Sequence, residues 1–383
     1  MKNKTAAILN LTEDNKYLKP LTNNRPIAAL PFASRYRIID FALSSIYHAG
    51  IDSVALFIGE SGRSIYDHVR SGDSWHLDSS IRGGVFTFSH QNWKAEHHFD
   101  DESEDYYYNH RLYLERSRAE YVFVAGSKII ANVDINALRS NHIEVGRDVS
   151  LVYKNIPAEM VGPSHDNERV LEFGDNRQLV DLHNNDDYPS SDICSCSLNM
   201  YMVSVEFLLS LLDRALKEEQ YLEIDDLIQY YMLDYTVNPY EFTGYTANIH
   251  SVQAYYQANM DMLNRQAFIS LFHSSQPIIT RSKNGVPAFY SVRSFARNSI
   301  IATGTKVFGE VIGSLVNRRV TIGENASVKN SVLLQGSEIG EGARIEYAIL
   351  DKNVTVEPGA QIIGSKNNIK VIAKNTIVRA QRG

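Results

Sequence analysis

The sequence predicts a two-part α/β protein, with a mostly parallel sheet covered by helices and then a parallel β-helix of hexapeptide repeats. Three observations carry this. Up to about residue 275, short apolar runs alternate with amphipathic stretches, the βαβ grammar of a helix-covered parallel sheet. Past about residue 297, aliphatic residues recur every six positions with glycines between them, as in coils that each turn one aliphatic side chain inward per short strand. The chain's 383 residues also exceed what one ordinary core organises.

The elements follow in order. Ala6 to Leu9 reads as a strand, Phe41 to Ala49 as a helix and Ser53 to Ile58 as the next strand. Tyr121 to Val124, Val149 to Tyr153 and Asn199 to Val203 are further strands, and a leucine-rich helix spans Val205 to Leu216. Residues 90–108 and 158–192 are polar and aperiodic and read as long loops. In the repeats, Val316, Ile322, Val328 and Leu334 keep the beat; Ile339 and Ile345 continue after a one-residue slip, and Leu350, Val356 and Ile362 resume it. Gly313, Gly323, Gly336, Gly340, Gly342, Gly359 and Gly364 punctuate it. The expected domains are 1–252, a linking helix and connector over 253–296, and the β-helix over 297–383. A β-sandwich with unusual spacing is the competing interpretation of the last part.

Composition narrows the function classes. Hydrophobic residues make up 44% and charged residues 22%, the values of an ordinary globular protein. A net charge of −7 offers no general attraction to nucleic acid or an anionic membrane, so any anion site must be local. No apolar run reaches the roughly 18 residues that cross a bilayer, and Met1 to Thr5 does not open a signal peptide, so the chain is expected to be cytoplasmic. Cys194 and Cys196, one residue apart, suit neither a disulfide framework nor a zinc knuckle and are expected reduced on a strand.

Three separated segments carry a family resemblance: Tyr36-Arg37-Ile38-Ile39-Asp40-Phe41, the helix opening Tyr255 to Asp261, and Asn330 to Gly336. In these the chain resembles bacterial ADP-glucose pyrophosphorylase (glucose-1-phosphate adenylyltransferase) over nearly its whole length. The resemblance implies a Rossmann-like nucleotidyltransferase domain, a linking helix and a left-handed β-helix. It also implies the reaction that joins ATP and glucose 1-phosphate into ADP-glucose and pyrophosphate.

That chemistry gathers negative oxygens, so it needs Mg²⁺, Lys, Arg and converging backbone amides. Against the family pattern this chain departs at one functional position after another. Thr12, Glu13 and Asn15 stand where loop glycines let amides reach phosphate, and Tyr17 replaces that loop's basic residue. Glu13 would face a triphosphate with a carboxylate, a repulsion of about 1 kcal/mol or more. Ile27 replaces a lysine, and Ser127 stands where the family has a metal-holding aspartate; the neighbouring Lys128 can offset phosphate charge but cannot bind magnesium. Asn185 replaces the lysine that holds the sugar phosphate, and Ala247 and Asn248 replace a lysine and a second metal-holding aspartate. Losing even one electrostatic stabiliser typically costs about a hundredfold or more in rate.

The resemblance is therefore closest to the D-type subunit of glycogen operons. It implies a non-catalytic regulatory subunit with no cofactor of its own, Mg²⁺ being needed only in a catalytic partner of ADP-glucose pyrophosphorylase, within a heterotetramer. Self-association is compatible with the same surfaces; nucleic acid and membrane are not expected partners. Arg25 and Arg37 match positions at which relatives hold a regulatory sugar phosphate or sulfate, and the basic residues Lys370, Lys374, Arg379 and Arg382 extend the set. An ion pair with Asp40 or a neighbouring carboxylate accounts equally well for the two arginines, and a solvated tail for the rest. His97 and His98 with Asp100 and Asp101 suit an exposed loop better than a metal site. Two other functions compete: an active nucleotidyltransferase with a rebuilt site, and a hexapeptide-repeat acyltransferase. The second lacks its general base, because the last histidine, His273, precedes the repeats.

Overall fold

A computed structural model describes residues 4–59, 61–78, 83–89, 105–161, 169–184 and 192–380. The chain folds as two compact units: Met1–Asp14 with Phe41–Thr246, and Asn15–Asp40 with Ala247–Gly383. Rather than following one another as 1–252, 253–296 and 297–383, the segments interleave.

The first unit is built on nine strands among the described residues. In chain order these are β1 (Thr5–Leu11), β2 (Ser53–Ile58), β3 (Gly84–Ser89), β4 (Tyr121–Ala125), β5 (Val149–Pro157), β6 (Val170–Phe173), β7 (Leu179–His183), β8 (Ile193–Ser204) and β9 (Val237–Glu241). The sheet order is β7-β6-β8-β4-β1-β2-β3, with β5 pairing β8 and β9. Strands β4, β1, β2 and β3 run parallel; β8 runs antiparallel to β4 and β5. β1 and β2 are buried along their whole length, as continuous apolar runs require when helices cover both faces.

Helices α1 (Ile39–His48), α2 (Arg63–Val69), α3 (Tyr108–Ser117), α4 (Ile135–Val145), α5 (Val205–Lys217) and α6 (Ile224–Tyr231) follow the chain. α5 starts where the Ser204 hydroxyl accepts the Phe207 amide at 3.0 Å, and it buries Leu208, Leu211 and Leu212 against Ile8, Val124 and Tyr201. The expected loop over 158–192 is corrected: Val170–Phe173 and Leu179–His183 pair as an antiparallel hairpin joined to β8. Its strands are too short and too exposed to announce themselves, because only Val170, Leu171 and Leu179 are buried. Residues 90–104 and the histidine pair within them lie outside the described residues. Cys194 and Cys196 are buried on β8 and form no disulfide with each other.

The second unit holds α7 (Val252–Asp261), α8 (Arg265–Phe272) and the β-helix. Short strands from Phe289–Tyr290 to Ile377–Val378 stack into three parallel sheets, the faces of a left-handed parallel β-helix. The six-residue beat is the inward row, in which Val316, Ile322, Val328, Ile339, Ile345, Leu350, Val356 and Ile362 share one core. Leu333 rather than Leu334 joins that core, so the slip falls between Val328 and Leu333 and the beat then runs unbroken to Ile345. Close stacking of coils explains Gly340, where a Cβ would lie 2.5 Å from the Pro358 nitrogen, whereas Gly342 and Gly359 face open space and take left-handed φ values of 65° and 71°. Residues 15–40 belong to this unit through buried polar contacts. The Tyr255 hydroxyl donates to the Pro31 carbonyl at 2.5 Å, and the Ala33 amide donates to Asn259 Oδ1 at 3.1 Å. The Tyr256 hydroxyl fixes α7 to the β-helix by donating to the Asn330 carbonyl at 2.7 Å. Among the described residues no helix is long and apolar enough to cross a membrane.

Candidate functional site

In the first unit the C-terminal ends of β1 and β4 lie side by side, because the two strands pair through Leu9 and Ala125. Ligands of parallel α/β sheets gather at such ends. Asn10, buried near the end of β1, accepts hydrogen bonds at Oδ1 from the Thr12 amide (3.2 Å) and the Thr12 hydroxyl (2.6 Å), which folds the following loop back on the strand. Asn10 Nδ2 donates to Asp225 Oδ1 at 2.7 Å. Asp225 sits buried in the first turn of α6.

Glu13 turns into this site. Its carboxyl accepts the Ser127 and Lys128 amides, the latter at 2.8 Å, and the Ser127 hydroxyl at 2.5 Å. Burial pushes its pKa up to about 7, Ser127's hydrogen bonds pulling it down, Asp225 adding to the rise and Lys128 opposing it. Burial likewise raises Asp225 to about 7, with Asp226 adding to it and Asn10 opposing. Two carboxyls with elevated proton affinity thus occupy the ground where the sequence places phosphate and metal. Asp225 and Asn10 escaped sequence reasoning: their pairing spans 215 residues, and no local pattern marks it.

The other expected positions belong to the second unit, apart from Asn185, which lies outside the described residues. Asn15 accepts the Thr22 hydroxyl at its carbonyl (3.1 Å) and precedes a single 3₁₀ turn, Lys16–Leu18. Tyr17 is 46% exposed, with the Lys16 ammonium 5.0 Å from its ring centre. Ile27 is 1% exposed, a core residue. Ala247 and Asn248 form a short, half-buried strand.

The second unit also holds a basic site. Arg25 is buried and pairs with buried Asp351 (Nη2 to Oδ1, 2.7 Å), while its Nε has no hydrogen-bond partner among the described residues. Of the two readings left open for Arg25, the ion pair is present, with Asp351 of the β-helix as its carboxylate. Asp40 instead takes the Arg37 backbone amide at 2.9 Å. Burial pushes Lys352 down to about 7, with Arg37 and Arg25 adding to the fall, Asp351 opposing it and Lys283 contributing last. A cavity of about 560 Å³ opens among Ser34, Arg35, Arg281, Lys283 and Arg318, and the buried Ser34 hydroxyl has no hydrogen-bond partner among the described residues. Burial, then Arg35 and Arg319, lower the Arg318 pKa. Crowded cations and idle donors of this kind suit an anion chemically. Lys374 is exposed, and no hydrogen bond or ion pair among the described residues ties it to Arg25 or Arg37. Lys352, Lys283 and Arg318 were missed because they lie far apart in the sequence and no local motif brings them together.

On the β6–β7 hairpin, His183 Nε2 lies 2.6 Å from Glu172 Oε2 and 3.9 Å from Asp181 Oδ2. Both carboxylates are exposed, and an ordinary charge-assisted hydrogen bond accounts for the arrangement.

Comparison with known proteins adds the following. Residues 15–265 match the nucleotidyl transferase family model, and residues 287–370 the model of the GlmU-like C-terminal hexapeptide region. The chain is 28% identical over 377 residues to "Glycogen biosynthesis protein GlgD" of Bacillus subtilis (strain 168), covering 98% of this chain and 97% of that protein. It is 32% identical over 328 residues to the Geobacillus stearothermophilus protein of the same name, covering 86% and 84%. A "Glucose-1-phosphate adenylyltransferase" of Bacillus cereus (strain ATCC 14579) is 26% identical over 383 residues, covering 96% of each.

Proposed function

Because the chain belongs to the nucleotidyl transferase family, we propose that it serves glycogen synthesis in the cytoplasm as a non-catalytic regulatory subunit. Its partner is a catalytic glucose-1-phosphate adenylyltransferase, joined in a heterotetramer, which converts ATP and glucose 1-phosphate into ADP-glucose and pyrophosphate. The names and near full-length matches of the relatives support the pathway. The observation that carries the non-catalytic part is the occupancy of the sheet end, where the buried carboxyls of Glu13 and Asp225, protonated or not, bring no positive charge to phosphate. Phosphoryl chemistry needs positive charge there, and Ile27 is locked in the core where the family has a lysine.

The donor set does not suit Mg²⁺, the ion that the fold family implies. Magnesium seeks ionised oxygen ligands in octahedral array. Ser127 supplies a hydroxyl in place of a carboxylate, Glu13 spends both oxygens on Ser127 and Lys128, and its raised pKa favours a proton.

Regulation is assigned to the basic site of the second unit. A small phosphorylated effector would find Arg37, Lys352 and the cations lining the cavity at Lys283 and Arg318, with Arg25 held in place by Asp351. Burial holds the Lys352 pKa down to about 7, and a bound anion would favour its protonated form.

The test is a pyrophosphorylase assay of this chain alone, of a cognate catalytic subunit alone and of the two mixed. The expected result is no turnover by this chain and a several-fold change in kcat or KM on mixing. Substantial turnover by the isolated chain sinks the non-catalytic reading; unchanged kinetics on mixing sink the regulatory one.

A further inference from the structure

Glu13 is held as a bound anion would be held. The amides of Ser127 and Lys128 and the hydroxyl of Ser127 all point at its carboxyl group. Successive backbone N–H groups at a strand end form a concavity suited to oxyanions, and the positive charge of buried Lys128 acts on the same spot. Gly126 makes the room, since a Cβ there would lie 2.5 Å from Glu13 Oε1 and 3.7 Å from Asp225 Oδ2. The turn Gly126-Ser127-Lys128 thus keeps the parts of an oxyanion site, and a side chain from the β1 loop fills it.

We propose that Glu13 is a built-in stopper: a tethered carboxyl ligand that occupies an oxyanion site at the end of β4 and excludes phosphate-bearing molecules from it. The stopper goes beyond the regulatory role, because it acts in the isolated chain whether or not a partner exists. Its advantage over a free ligand is the tether. A group on a short loop is present at an effective concentration of about millimolar or higher, so a weakly binding phosphate cannot displace it. The surroundings argue that occupancy is the purpose. Asp225 on α6 repels an ionised Glu13, yet the loop still delivers the carboxyl to the three donors on the β4 turn. A loop end needing only an anchor would avoid placing two acids together.

Residue-resolved amide hydrogen exchange on the full chain, with inorganic pyrophosphate as the probe, tests this. In the wild type the Ser127 and Lys128 amides should exchange slowly and ignore added pyrophosphate. In Glu13→Gly both should exchange about tenfold faster, the worth of one hydrogen bond, and pyrophosphate should restore slow exchange with at least tenfold tighter binding than in the wild type. Glu13→Gln keeps the site filled and should leave pyrophosphate binding as weak as in the wild type. Gly126→Ala, which crowds the carboxyl with a methyl group, should speed exchange at both amides and decides the matter if Glu13→Gly fails to fold. Equal exchange in the wild type and in whichever of Glu13→Gly and Gly126→Ala folds overturns the stopper. So does pyrophosphate binding that Glu13→Gly does not improve, or that Glu13→Gln improves as much, since the latter means repulsion rather than occupancy. None of these readings depends on the mixing assay, so either idea can fail alone.

Discussion

Lys352 is where a single residue reports on the basic site proposed to be regulatory. Its folded pKa, lowered to about 7, lies below the ordinary lysine value, so the unfolded chain binds more protons between the two and this group's contribution to stability falls as pH drops through 7. An anion reverses that bias. Binding of a sugar phosphate should therefore weaken as pH rises from 6.5 to 8.5, and Lys352→Met should lower affinity and flatten the dependence; calorimetric titration at several pH values checks both. Glu13 and Asp225 work in the opposite sense. Their folded values near 7 exceed ordinary carboxyl values, so the stability they allow is complete below about pH 4 and declines as pH climbs through 7. The groups facing Glu13 are Ser127 and Lys128 from the β4 turn and Asp225 from α6, with Asp226 and Glu223 acting on Asp225. The melting temperature should fall between pH 5 and 8, and Glu13→Gln should flatten that fall. Sequence marked Glu13 and Ser127 as departures from a pattern. That the two meet was not legible, because 114 residues separate them and only the pairing of β1 with β4 joins them.

Elements were legible in proportion to their periodicity. β1, β2 and α5 are long apolar or amphipathic runs, and the hexapeptide beat persists through many coils. The β6–β7 hairpin carries few buried residues and escaped notice, and the slip at Leu333 was misplaced because Leu333 and Leu334 are both buried. At Gly340 the glycine punctuation has a steric basis that can be tested. Gly340→Ala would push a methyl group into backbone atoms of the next coil, with the Pro358 nitrogen at 2.5 Å, and should destabilise by about 1–3 kcal/mol in urea unfolding. Helix α7 rests on its tyrosines. Tyr255→Phe leaves the buried Pro31 carbonyl without its donor and should cost about 1–3 kcal/mol, read as a lower melting temperature.

At the scale of the molecule, the basic site and the degenerate site belong to different compact units. The proposed effector site and the proposed stopper can therefore be altered separately: Lys352→Met should change effector response in the mixed assay and leave Ser127 and Lys128 amide exchange untouched, while Glu13→Gly should do the reverse. The second unit is threaded discontinuously, and its buried ion pair joins Arg25 to Asp351 across 326 residues. Breaking such a pair by Arg25→Ala should cost about 3–5 kcal/mol, whereas replacing both partners by Met and Leu should recover most of it. The same pair sets a schedule for biosynthesis. A ribosome delivers Arg25 ahead of its acceptor by 326 residues, so residues 15–40 wait, cationic and apolar, for a coil not yet translated. Nascent chains halted before Asp351 should consequently be sensitive to protease within that early segment, and protection should arrive together with the coil that carries the carboxylate.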